Sequence, residues 1–127
     1  MWELLKDIKE KLLEIKELNT VKIGIEHGIG AKDAPAARIV TEYSEPGQNV
    51  YYDNGSIQIV LLLDLKNNLE DVYSQSIFLE ALIRDKLKRI VKFTRVDYDQ
   101  DSFTVLKSSI LSFTFSGIRN GRQECDL

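Results

Sequence analysis

The stretch Ile57–Asp64, IQIVLLLD, constrains this chain more than any other, because it is its most apolar segment and is flanked by turn signals. Its uninterrupted apolar part, Ile59 to Leu63, is far too short for the roughly 20 residues that cross a bilayer. A short, β-branched, apolar run of this kind reads as a strand central in its sheet. The rest of the 127 residues must then supply its neighbours and cover its faces. That length suits one domain, and at this size a chain buries roughly two-thirds of its unfolded surface without needing staples. An apolar fraction of 43% with 29% charged residues is a globular composition, not a disordered one.

The flanking segments change period in an informative order. Residues 2–18 place Leu5, Ile8, Leu12 and Ile15 on one helical face, with Lys and Glu on the other and Asn19 as a stop. The mixed charge of that polar face favours packing on a sheet over binding a membrane surface. Val21, Ile23 and Ile25 then alternate with Lys22, Gly24 and Glu26, the pattern of a half-buried strand. A loop over His27 to Pro35 leads to a second strand over 36–44, and Glu45–Pro46–Gly47 and Asp53–Asn54–Gly55 both read as turns. A second helix is expected over 69–90, capped by Asn67 or Asn68, with Leu69, Val72, Tyr73, Leu79, Ile83, Leu87 and Ile90 on its main face. Residues 92–98 and 109–117 read as two further strands.

These segments define an α+β fold: a mainly antiparallel sheet of four to six strands with two helices packed against it, in the order α-β-β-β-α-β-β. The domain is expected over 1–117, with 118–127 as a polar, flexible C-terminal tail. Phe78 and Leu82 fall away from the main face of the second helix, one turn apart. Such a second apolar stripe needs a cover, either the first helix or another chain.

The residues offer little for catalysis. His27 is the single histidine, so no two-histidine acid/base pair or histidine-rich metal site can form. Cys125 is the single cysteine, which excludes an intramolecular disulfide and a cysteine-based zinc site. Gly28–Ile29–Gly30 begins like a dinucleotide fingerprint, but Asp33 stands where the third glycine belongs. Asp97, Asp99 and Asp101 begin like a calcium loop, but Ser102 and Ser108 occupy the positions that need glycine and glutamate. Asn54–Gly55–Ser56 matches a glycosylation sequon and reads as a turn. No serine-hydrolase elbow is present. The expectation is a protein with no catalytic residue, cofactor or metal, acting by binding other proteins.

Charge narrows the partners. Lys and Arg total 17 against 20 Asp and Glu, a net charge of −3, which disfavours nucleic acid as a specific partner. A basic run over Arg84, Lys86, Lys88, Arg89 and Lys92 reads most simply as a solvated cap complementing the helix dipole. The charged, alternating start of the chain, Trp2 to Leu18, does not read as a secretion signal, so the cytoplasm is the expected setting.

The order of elements and the segments VKIGIEHGI (21–29), PAARIV (35–40), IQIVLLLDL (57–65), LEDVYSQSIFLEALIRDKL (69–87) and SSILSFTFSG (108–117) resemble the tail terminator, or tail-completion and head–tail joining, proteins of long-tailed bacteriophages and prophages. The resemblance spans nearly the whole chain by order and texture. It implies a structural protein whose ring, usually hexameric, caps the tail tube and meets the head connector. The implied partners are further copies of the chain, the tail tube protein and the connector protein, with no cofactor. The implied location is the host cytoplasm during assembly and the virion tail afterwards. Phe78 and Leu82 would then face a neighbouring subunit, and loops 28–34 and 45–55 would project, the second carrying Tyr51 and Tyr52 of a type enriched at interfaces. The alternatives are a small intracellular ligand-binding or adaptor domain with a ferredoxin-like sheet, and an enzyme using His27 with the acidic turn.

Overall fold

The computed structural model describes residues 1–24, 31–64, 69–98 and 106–119. Two helices, α1 (Trp2–Leu13) and α2 (Leu69–Leu87), accompany strands β1 (Thr20–Ile23), β2 (Ala36–Pro46), β3 (Tyr52–Asp64), β4 (Lys92–Tyr98) and β5 (Leu106–Arg119). The strands form one five-stranded sheet in the order β1-β2-β3-β5-β4. Only β1 and β2 run parallel, and every other pairing is antiparallel. This is the expected α+β architecture in the expected order.

β3 occupies the middle of the sheet, as its composition requires. Its odd-numbered residues Ile57, Ile59, Leu61 and Leu63 are almost completely buried. In cross-strand register Ile59 lies beside Ile39 on β2 and Leu111 on β5, and Leu111 lies beside Val96 on β4. That row is the floor of the core. Leu4, Leu5, Ile8 and Leu12 of α1 and Val72, Leu79, Ile83 and Leu87 of α2 close over it. Each fully buried Leu or Ile contributes about 1.5–3 kcal/mol through removal from water. The alternate residues form the other face, where Arg38, Val60, Ile110 and Asp97 lie in register and none is fully buried.

Four details differ from the sequence reading. α1 ends at Leu13, because the amides of Glu14 and Ile15 bond to the carbonyls three residues back and tighten the last turn. Ile15 and Leu18 still reach the core from the turns that follow. α2 stops at Leu87, with Ile90 and Val91 both bonded to the Leu87 carbonyl. Tyr73, expected on the main face of α2, is 45% exposed, while Ser76 and Glu80 are buried in that face.

The largest correction concerns Asp53–Asn54–Gly55, which lies inside β3 and not in a turn. Two register shifts, at Thr41/Tyr43 and at Asp53/Gly55, let β2 and β3 continue as a long hairpin beyond the core. Gly55 is required there by crowding: a Cβ would meet the Tyr43 carbonyl and come 2.8 Å from the Phe115 ring. Asp53 accepts a hydrogen bond from the Ser44 hydroxyl at 3.1 Å, and Asn54 Oδ1 accepts one from the Gly117 amide at 2.9 Å. Residues that resemble a turn locally are thus consumed in joining three strands.

Candidate interaction surfaces

Three surfaces stand out on this frame. The first is the outer side of α2. Tyr73, Ile77 and Phe78 lie within one and a half turns of each other, and Ile77 and Phe78 are 62% and 53% exposed. Leu82 is not part of this open face in the same way; it is half-buried and leans on the core. The stripe expected at Phe78 and Leu82 therefore divides, one residue open and one mostly covered. Ile77 completes the open patch and was not singled out from the sequence, although its position one turn after Tyr73 carries that signal.

The second surface is the tip of the β2–β3 hairpin. Every residue from Thr41 to Pro46 is exposed, so the hairpin extends past the helical layer. Tyr43, Val50 and Tyr52 are exposed, while Tyr51 is half-buried, with its amide donating to Asn49 Oδ1 at 2.9 Å. Tyr52 opens β3 and lies in register with Arg119 of β5. The acidic groups here are Glu42, Glu45 and Asp53, and no Lys or Arg occurs between Arg38 and Lys66. The tip is acidic and rich in tyrosine.

The third surface is an open groove of about 680 Å³ between the C-terminal end of α2, the start of β4 and the end of β5. Its apolar lining includes Ile90, Val91, Phe93, Phe113 and Phe115, with the Phe93 and Phe113 rings meeting edge to face at 5.6 Å. The Arg84 guanidinium stacks on Phe93, 4.0 Å from the ring centre. Arg84, Lys88, Arg89 and Lys92 set four cations around it against the single carboxylate of Asp85. Asp85 binds Lys88 at 2.9 Å, and that hydrogen bond and charge hold its carboxyl below the ordinary value. Lys86 turns away to Glu14, the residue that follows α1, at 3.8 Å. The basic run that reads as a helix cap is thus, in four of its five members, the rim of an aromatic groove. β4 begins opposite Thr114, so β5 from Phe115 onward has no strand on that side among the described residues.

Asp97 lies on β4 and binds Arg95 at 2.9 Å. His27, Asp99, Asp101 and Cys125 lie outside the described residues, as do Asn67 and Asn68 and the segment 120–127. Among the described residues no helix is long and apolar enough to cross a membrane.

The fold and these surfaces define a class: an α+β protein with both helices contributing to one core over a mixed five-stranded sheet, and with its distinctive side chains on the outside. Its architecture is similar to that of the gp17 protein of bacteriophage SPP1, with a TM-score of 0.52 at 15% sequence identity, over 94% of this chain and 91% of that one. No family model matches the sequence. No curated protein matches it either.

Proposed function

We propose that this chain is a structural assembly protein of a phage or prophage, one that forms a ring, hexameric by the resemblance above, capping the tail tube and joining it to the head connector. The observation that supports this reading most is the likeness in fold to a bacteriophage protein over almost the full length of both chains. The exposed Phe78 and Ile77, and the projecting Tyr52, supply apolar and aromatic surface suited to subunit contacts. The work is done by contact, without a catalytic residue or cofactor. It takes place in the host cytoplasm during assembly and then in the virion tail.

The test is removal of the gene from the phage or prophage that carries it, with particles scored by electron microscopy. Overlong tails or tails without heads, repaired by supplying the protein in trans, are the expected result. Normal joined particles in its absence overturn the reading. A ligand-binding or adaptor domain is the second reading, favoured by the groove between Arg84 and Lys92, and it predicts normal particles.

A further inference from the structure

We propose that the hairpin tip of one subunit docks in the basic groove of a second copy of the same chain, Glu45 meeting Arg89 and Lys92 at the rim and the tip's apolar side chains lying along the half-buried Ile90 and Phe93. The inference rests on the assembly reading above. Its basis is the division of charge within the monomer. The chain carries more acidic than basic groups overall, yet the groove gathers four cations against one anion, while the hairpin's own residues 41–55 carry three acidic groups and no Lys or Arg. Arg84, Arg89 and Lys92 take part in no ion pair among the described residues. Glu45 is likewise unpaired and fully at the surface.

The two surfaces also match in their apolar parts. Between its cations the groove presents the half-buried Ile90 and Phe93, and the tip presents Tyr43, Val50 and Tyr52. Aromatic rings meeting edge to face are worth about 0.5–1.5 kcal/mol beyond area burial. The rim charges, being exposed, fix orientation and speed of encounter more than strength.

In the sheet order β5 stands between β3 and β4, and the pairs Tyr52↔Arg119 and Gly55↔Phe115 hold the hairpin along the far edge of β5. The tip and the groove are two different patches, so their meeting between copies is a heterologous contact, the kind that repeats around a ring. Nucleic acid is a poorer occupant, because the chain's net charge is −3 and the lining between the cations is apolar.

The test uses two single-cysteine forms in a Cys125→Ser background, Val50→Cys at the tip and Arg89→Cys at the groove. Mixed at high concentration under oxidation, they should form a disulfide-linked pair at least about tenfold faster than either form alone. Glu45→Lys added to the first chain should slow the reaction by about tenfold or more, as juxtaposed like charges do, and Lys92→Glu added to the second should restore it. Equal rates in the mixture and in the separate forms overturn the docking. Tight binding of inorganic polyphosphate that Lys92→Glu abolishes, without the cross-link, also overturns it and makes the groove an anion site. Both results leave the assembly reading to its own test, tail length in the absence of the protein.

Discussion

Glu80, in the middle of α2, accepts a hydrogen bond from the phenol of Tyr98 at the end of β4, and its other carboxylate oxygen, Oε1, is buried without a hydrogen-bond partner among the described residues. Partial burial, the Glu80 charge and that hydrogen bond raise the Tyr98 phenol above its ordinary value of 10.0. A group whose pKa is raised by folding stabilises the protein below its unfolded value and loses that contribution as pH rises through the folded one. Stability should therefore fall above about pH 10 as Tyr98 ionises beside Glu80. Titrating tyrosine absorbance in wild type and Tyr98→Phe isolates the group, and Glu80→Gln should bring its pKa down while leaving the part due to burial.

Glu80→Met tests the orphaned oxygen separately. Removing a buried, half-satisfied carboxylate in favour of a methionine is expected to be neutral or to stabilise by about 1 kcal/mol, since Tyr98 is 46% exposed and water can take its hydroxyl. Denaturant unfolding at neutral pH measures it. A loss of about 3 kcal/mol or more, the scale of a broken buried network, would show that the carboxylate is needed.

The Ser76 and Ser109 hydroxyls, 3.1 Å apart and both buried, tie α2 to β5. Changing either to Ala strands the other and should cost about 1–3 kcal/mol. The double change should cost clearly less than the two singles together, and a double-mutant cycle gives the coupling directly. Strict additivity would remove this contact from the account of α2 docking.

Gly55→Ala places a methyl group against the Tyr43 carbonyl and the Phe115 ring, where neither backbone nor ring has room. Overpacking of this sort costs about 1–3 kcal/mol. The hairpin's residues from Thr41 to Pro46 are exposed, so faster amide exchange should appear there before global unfolding, although Phe115 itself belongs to the core.

Phe78→Ser and Leu82→Ser should behave differently. Phe78 is 53% exposed, so its replacement should leave the melting temperature of the monomer within about 1–2 °C, the range of a surface change. Leu82 leans on the core and its replacement should cost about 1–2 kcal/mol, less than a fully buried leucine. If Phe78→Ser is as costly as Leu82→Ser, the outer face of α2 is not the free surface the monomer presents.

Period and polarity carried the sequence reading as far as the strands, the helices and their order, because Ile57, Ile59, Leu61 and Leu63 cannot be buried any other way than at the centre. Polarity also misled it. Ser76 and Glu80 share the face of Val72 and Ile83, but their partners Ser109 and Tyr98 are distant in the chain, so nothing local marks them as buried. Asp53–Asn54–Gly55 has the composition of a turn and is held in β3 by contacts from β2 and β5 that composition does not reveal. The groove was hidden for a related reason. Its cations adjoin one another in sequence, but Phe113 and Phe115 arrive from the last strand.

The place of β3 between β2 and β5 sets a timetable for the newly made chain. Its pairing with β2 closes early, across a short turn, but Ile59 waits for Leu111, about fifty residues later in the chain. Non-local pairing of this kind slows folding, and an unpaired apolar strand edge invites association with other chains meanwhile. On the ribosome, the most aggregation-prone segment of the molecule therefore stays half-finished until the chain has been made as far as Leu111.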